Sequence, residues 1–357
     1  MALDTTALLA LSEDSRATAR AARLRYVSDE QPGYTRQRWG RGFTYFDKQG
    51  NRITDPQQRA RFEALVIPPA WTGVWICPYE NGHIQVTGRD DKGRKVYIYH
   101  SRWEELRNET KFNRMLLFGE ALPRLRQRVD QDLRRHGVPR DRVLAAAVRL
   151  LQQTLIRVGN DEYAQNNESF GLTTLRQEHV DVNGDQLRFQ FRGKSGKMQE
   201  VSVRDPRAAR VLRALQDLPG QEILQYEDEE GNLRDVTSGD VNGYVREATG
   251  EPFTAKDFRT WGGTVQAIRV LHQLGEAADE NQVEKNLVAL FKAVAEHLGN
   301  TPAVCRDYYV HPCVPGCYRA GTFFSLCAEA ELEPEDAAWL THDEQLALDL
   351  LRNHVAD

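Results

Sequence analysis

The sequence predicts an α+β fold, with a small β-rich domain on the N-terminal side and a larger, mainly α-helical domain that carries a three-stranded β-sheet. Three observations predict it. Between Gly33 and Trp103, aromatic and β-branched residues alternate with polar ones and are broken by Gln49-Gly50, Asn81-Gly82 and Lys92-Gly93, which are turn signals. From Glu104 the apolar spacing turns helical. Residues 172–205 then interrupt the helical run with three short alternating segments. A chain of 357 residues, 40% of them hydrophobic, has material for two domains with cores of their own. No run approaches the roughly 20 apolar residues that a membrane-spanning helix needs.

Residues 1–25 read as an amphipathic helix or arm. The β-rich domain follows over 26–107. Within it Gln85, Thr87, Arg89, Lys92, Arg94, Lys95, Tyr97, Tyr99 and His100 interleave polar, cationic and aromatic side chains. That mixture suits a surface that tracks a nucleic-acid groove, and it equally suits a half-buried hairpin. Beyond a boundary near 105–110, the spacing of Val143, Leu144, Val148, Leu151 and Leu155 marks a helix of the second domain, 108–357. The strands expected next are TTLRQEHVDV, QLRFQFR and MQEVSVRD, joined by Asn183-Gly184 and by Gly193-Lys194-Ser195-Gly196. Leu187, Phe189 and Phe191 form one buried face, and Lys194 sits at an exposed hairpin tip. Helices are expected near 206–217, 238–248, 255–274 and 277–298, with Thr254 as an N-cap and Gly275 and Gly299 as stops. The final 30 residues read as an acidic helical tail that a polyanion would repel.

The formal charge of -5 would ordinarily argue against a nucleic-acid partner. It is an average over two unlike halves. Residues 1–216 carry 37 Lys+Arg against 26 Asp+Glu, or +11, whereas residues 217–357 carry 10 against 26, or -16. With 38 Arg to 9 Lys, the cations are mostly guanidinium forks that pair phosphate oxygens in two-point fashion. Phosphate is therefore a candidate ligand of the basic half.

Five cysteines, Cys77, Cys305, Cys313, Cys317 and Cys327, are an odd set scattered through the chain. The opening MALDTTALLALSEDS lacks the basic start and long apolar run of a secretory signal, so a reducing cytoplasm is expected. His311, Cys313 and Cys317 suggest zinc, but no second pair completes four ligands. GKSGK fails as a phosphate loop because Arg188 stands where the first Gly is needed, Met198 follows Gly196-Lys197, and the segment joins two strands. GxSxG, HExxH and an acidic cluster for two-metal chemistry are absent from the sequence.

What remains is a dispersed set: Arg157 closing a helix in IRVGNDEYA, Lys194 on its hairpin, Arg259 early in the helix of TAKDFRTWGG, and Asn300, Tyr308 and Tyr309 in LGNTPAVCRDYY. Thr301 as N-cap and Pro302 at the first helical position start a short helix there. Each residue alone has an ordinary explanation in helix-end charge, turn chemistry or packing.

In this order, and together with VTGRDDKGRKVYIYHSRW, the segments IRVGNDEYAQNNESFGLTTLRQEHV, FRGKSGK, TAKDFRTWGGT and LGNTPAVCRDYY resemble the type IB DNA topoisomerases, specifically the compact poxvirus-like and bacterial branch. The likeness covers roughly residues 25–320. It implies a DNA-clamping domain followed by a catalytic domain, and relaxation of supercoiled DNA through a 3′-phosphotyrosyl intermediate without ATP or metal. Tyr309, the seventh residue after Pro302, matches the nucleophile in preference to Tyr308. Arg157, Lys194 and Arg259 match the catalytic Arg, the hairpin Lys and the second Arg. Lys194 is the implied general acid for the 5′ leaving oxygen. Asn300 stands where many relatives have His, which removes a possible cation but keeps an amide donor for a phosphate oxygen. Lys256 matches a further Lys near the site, and Arg89, Lys95, Tyr97 and Tyr99 are the expected DNA contacts of the first domain. The implied partner is double-stranded DNA, with no cofactor, for a monomer in the cytoplasm associated with the nucleoid.

Two rivals stand beside this reading, with a metal-dependent enzyme, motivated by His311, Cys313 and Cys317, behind them. A tyrosine recombinase uses a similar Arg, Lys, Arg and Tyr set, but KDFRTWGGT is closer to the topoisomerase pattern than to HxxR, and a recombinase's first domain is helical. A DNA clamp that has lost catalysis is the other, and the presence of all five site residues argues against it.

Overall fold

The computed structural model describes residues 14–160, 164, 168–330 and 338–356. The chain divides into two units, residues 1–114 and 115–357, and the division falls inside a helix that runs from Ser101 to Asp132, a little beyond the 107/108 point read from sequence. Among the described residues no helix is long and apolar enough to cross a membrane.

The first unit is built on five antiparallel strands: β1 (Tyr34–Trp39), β2 (Gly42–Phe46), β3 (Thr72–Ile76), β4 (Ile84–Arg89) and β5 (Lys95–Tyr99), in the order β2-β1-β3-β4-β5. Helix α1 (Ser15–Ala21) begins at Asp14, whose carboxylate accepts the Arg16 and Ala17 N–H groups at 2.8 and 3.1 Å. Helix α2 (Pro56–Ala64) lays Phe62 against Tyr45, Val74, Ile76 and Val86 to make the core. Arg36 is buried in this unit, donating to the Ile67, Pro68 and Trp71 carbonyls at 2.8, 2.9 and 3.0 Å. It braces the fold and has no cationic face to offer a ligand.

Helix α3 (Ser101–Asp132) leads into the second unit, whose centre is α4 (Arg140–Thr154). Residues 143–148, Leu150 and Leu151 of α4 are all buried, so this helix is covered on nearly every side. It packs against α5 (Pro206–Gln216), α6 (Ser238–Thr249) and α7 (Ala255–Leu274). Helix α8 (Glu280–Leu298) lies on α7. The short helices α9 (Pro302–Tyr308), α10 (Cys313–Arg319) and α11 (Phe323–Glu329) follow.

The three-stranded sheet pairs β6 (Val180–Asn183), β7 (Gln186–Arg192) and β8 (Met198–Arg204) antiparallel, with Leu187, Phe189 and Phe191 buried as expected. The first of these strands is shorter than the sequence suggested. Residues 172–174 and 177–179 are single helical turns, because the Leu172 and Thr173 N–H groups donate to the Arg157 and Val158 carbonyls at 2.8 and 2.7 Å instead of to a sheet partner. An extra two-stranded ribbon, β9 (Gln225–Glu227) with β10 (Leu233–Asp235), turns at Asp228, whose carboxylate takes the Glu230 and Asn232 N–H groups.

The acidic tail is the clearest correction. Helix α12 (His342–Ala356) is a core element, with Leu346, Ala347, Leu348, Leu350 and Leu351 buried and its flank packed on α7. Glu344 is buried too: it accepts both terminal nitrogens of Arg126 at 2.8 and 2.6 Å, the Thr341 N–H at 2.9 Å and the Trp261 indole N–H at 3.3 Å. The acidic run 331–337 lies outside the described residues.

Burial pushes the Glu344 carboxyl upward, but the Arg126 hydrogen bond and charge outweigh it and hold its pKa below the ordinary 4.5. A depressed carboxylate stabilises fully above the unfolded value and ceases to do so as pH falls through the folded one. Glu344→Ala should therefore cost about 3 kcal/mol at neutral pH, because the half-buried Arg126 keeps only Gln152 and the Trp339 carbonyl and loses its carboxylate. Thermal melts should show that difference narrowing below pH 4.5.

Candidate active site

Helix α4 ends in an unusual way. Leu155 caps it in the left-handed conformation, φ +52°, while its N–H still bonds to Leu151. A leucine there is strained. The turn directs the Leu155 carbonyl at Arg259, whose Nη1 donates to it. Arg157 thus lies beyond the helix and not at its last turn, as had been expected. Its loop is clamped by the 170–174 segment: a side chain on Gly171 would meet Gly159 Cα at 2.5 Å and the Arg157 carbonyl at 2.6 Å.

Arg259 projects from the second turn of α7, which is anchored by Thr254 and Asp257, the Thr254 N–H donating to Asp257 at 2.7 Å. Only 5% exposed, it donates from Nη2 to the Leu298 carbonyl at 2.8 Å. Burial lowers its pKa, and the neighbouring Arg157 charge lowers it further. A guanidinium starts so high that it stays charged. Among the described residues neither Arg157 nor Arg259 has a carboxylate partner, so two cations stand close together without an anion.

The Leu298 carbonyl belongs to the end of α8, where Gly299 adopts φ +64°. Next comes Asn300, whose N–H bonds to the Ala295 carbonyl at 2.9 Å and whose Oδ1 accepts Arg157 Nη2 at 2.5 Å. Thr301 then caps α9, and Tyr309 ends it, its N–H donating to the Cys305 carbonyl at 3.0 Å. The Tyr309 carbonyl accepts the Thr264 hydroxyl at 3.3 Å, and that hydroxyl accepts the His311 N–H at 2.9 Å. The Arg259 guanidinium carbon lies 5.2 Å from the centre of the Tyr309 ring. Tyr308 is 55% exposed, whereas Tyr309 is half-buried.

Two donors in this cluster are buried with no partner among the described residues: Arg259 Nε and Asn300 Nδ2. Leaving such a donor unmade costs about 1–3 kcal/mol. Such groups call for an explanation, and a ligand that completes them is one. With Arg157 beside them, they describe a socket for an anion with several oxygens.

Lys194 sits on the exposed turn 194–196, closed by the Gly193 N–H on the Lys197 carbonyl at 2.8 Å, and among the described residues no hydrogen bond joins its side chain to Tyr309 or to the two arginines. Lys256 is exposed on the first turn of α7. On β4 and β5, Arg89 is exposed and donates to the Gly93 carbonyl at 2.9 Å, Lys95 pairs with Asp29 at 2.7 Å, and the Tyr97 and Tyr99 rings stack at 5.7 Å. Gln85 and Thr87 are buried and bonded to Gly82 and Asp29, so they are not surface contacts. His311 is buried and accepts the Cys313 N–H at 3.1 Å, and among the described residues no three His, Cys, Asp or Glu side chains are placed to hold a metal ion. Burial also pushes the Cys305 thiol up to about 11.

The family description "Eukaryotic DNA topoisomerase I, catalytic core" matches residues 100–311, a span that includes the whole cluster. The DNA topoisomerase 1B of Acanthamoeba polyphaga mimivirus is 32% identical over 285 residues, covering 78% of this chain and 85% of the viral protein. The chain belongs to the type IB DNA topoisomerases. A second description, the N-terminal domain of bacterial DNA topoisomerase IB, matches residues 42–90 of this topoisomerase. Similarity extends to the DNA topoisomerase 1B of Vaccinia virus (strain Copenhagen) and the DNA topoisomerase I of Monkeypox virus, each 23% identical over 224 residues, or 62% of this chain and 68% of theirs.

Sequence reading missed the residues that hold the topoisomerase cluster in place: Leu155, Thr264 and Gly263. One signal was present, the Gly262-Gly263 pair inside a helix, which marks a close backbone approach. A Cβ on Gly263 would meet the Tyr309 carbonyl oxygen at 2.6 Å, and a main-chain oxygen cannot swing away. Gly263→Ala should displace Tyr309 and lower plasmid relaxation by about tenfold or more. Circular dichroism should show the helices retained.

Proposed function

We propose that this type IB topoisomerase relaxes supercoiled duplex DNA without ATP or a metal ion, through a transient 3′-phosphotyrosyl intermediate on Tyr309. The observation that carries the reading is the pair of orphaned donors, Arg259 Nε and Asn300 Nδ2, buried next to Arg157 and Tyr309. A backbone phosphate is a ligand that satisfies donors from three residues at once.

In this reading the Tyr309 oxygen forms a bond to phosphorus as the bond from phosphorus to the 5′ oxygen breaks. The tyrosyl proton passes to water, and Lys194 protonates the departing 5′ oxygen. Arg157, Arg259 and Asn300 hold the non-bridging oxygens as their charge grows, each contributing about 3 kcal/mol by comparison with a single oxyanion donor. One phosphoester replaces another, so bond energy is conserved and the strand rejoins without a nucleotide. Between the two steps the free 5′ end rotates. Residues 26–107 serve as the clamp, with Arg89, Lys95, Tyr97 and Tyr99 on DNA and Lys256 assisting from the second domain. The enzyme acts as a cytoplasmic, nucleoid-associated monomer.

Lys194 is exposed on its turn in the free protein. Its role requires the side chain to reorient onto bound DNA, a motion ordinary for a long, solvated side chain on a catalytic loop.

Purified enzyme should relax supercoiled plasmid in EDTA with no nucleotide added; an absolute need for a divalent cation would defeat the proposal. Tyr309→Phe should abolish the covalent protein–DNA adduct on denaturing gels, and Tyr308→Phe should retain it. The opposite pattern would move the nucleophile to Tyr308.

A further inference from the structure

Strand β8 contains an exception to its own pattern. Residues 199, 201 and 203 face the same side as buried Phe191, Phe189 and Leu187, with which they pair directly, and that side reads Gln, Val, Val. Alternation calls for an apolar residue at 199, and Gln199 stands there half-buried. A local rule broken without an evident gain in packing is a place to look for function.

The surroundings of Gln199 supply the reason. On one side is Gly193, the base of the Lys194 turn, where an added Cβ would lie 2.9 Å from Gln199 Cγ. On the other is Gly299, where an added Cβ would lie 2.7 Å from Oε1 and 3.0 Å from Nε2. The side chain is thus pinched between two glycines that belong to different parts of the site. Among the described residues its amide makes one long hydrogen bond, from Nε2 to the Met198 carbonyl at 3.4 Å, so the fold scarcely uses it. Gly299 is flanked by the Leu298 carbonyl that holds Arg259 and by Asn300 that holds Arg157.

We propose that Gln199 is a positioning residue, a packed latch that sets the Lys194 hairpin against the Leu298–Asn300 turn so that the hairpin reaches the phosphate held by the two arginines. This rests on the reading in which Lys194 protonates the 5′ leaving oxygen. Shape, more than amide chemistry, does the work, so Met should substitute for Gln and Ala should not.

The test uses the full-length enzyme, Gln199→Ala, Gln199→Met and Lys194→Ala, with two readouts. On an ordinary duplex substrate Gln199→Ala should cleave about tenfold more slowly with unchanged DNA affinity, and Gln199→Met should stay within about twofold of the parent. On a substrate whose leaving oxygen is replaced by sulfur, which departs without a proton, Gln199→Ala and Lys194→Ala should both recover. Trypsin cutting at Lys194 and Lys197 in the DNA-free enzyme should be about fivefold faster in Gln199→Ala than in Gln199→Met at equal melting temperature. Unaltered trypsin cutting in Gln199→Ala overturns the latch whatever Lys194 does. Faster cutting with a defect that persists on the sulfur substrate, while Lys194→Ala recovers there, overturns the link to Lys194. If Lys194→Ala itself fails to recover, the general-acid reading falls, and faster cutting in Gln199→Ala still supports the latch.

Discussion

The site depends on how Arg259 is held. A guanidinium taken out of water normally finds a carboxylate, and here it finds two main-chain carbonyls, those of Leu155 and Leu298. Carbonyl dipoles orient the cation and offset part of its desolvation without cancelling its charge, as an Asp or Glu would. The net positive charge remains available to a polyanion. Both carbonyls come from helix ends that turn through the left-handed region, one at a leucine and one at a glycine. Those two irregular endings exist in the service of one side chain, and Arg157 and Asn300 follow directly from the same two turns.

This arrangement places cost and function at one spot. Orphaned donors and two neighbouring cations destabilise the free protein and would be relieved by a phosphate, while the strained Leu155 is a further cost that the scaffold carries. The surrounding scaffold is correspondingly firm: α4 is buried on nearly all sides, and α7 is fixed by its cap at one end and by Glu344 at its back. Such support keeps the donors aimed into the socket without collapsing onto each other.

Much of this was legible from local chemistry. The β7–β8 hairpin follows from Leu187, Phe189 and Phe191 alternating between turn residues, and α7 and α8 follow from Thr254, Gly275 and Gly299. Segments whose conformation is decided by distant partners were not legible. Residues 172–174 turn away from a strand because the carbonyls of Arg157 and Val158 compete for their N–H groups. Composition was misleading for α12, where acidic residues drew attention away from Leu346, Ala347, Leu350 and Leu351, spaced to cover one helix face. Arg157, Arg259, Asn300 and Tyr309 could be named by resemblance and the fold gathers them, but the orphaned donors on Arg259 and Asn300 arise only when chain segments far apart in sequence are folded together. Nothing local to either residue announces them.

The Glu344 contacts also bear on synthesis. Translation delivers α7 and its Arg259 well before α12, yet the indole of Trp261, two residues past Arg259, makes its hydrogen bond only to that later helix. Until α12 arrives, the back of α7 is uncovered and the nascent chain has strong reason to stay with the ribosome or a chaperone. A chain that ended before Thr341 would carry Arg259 and Tyr309 with the back of α7 open, a form that proteases remove more readily than the finished fold.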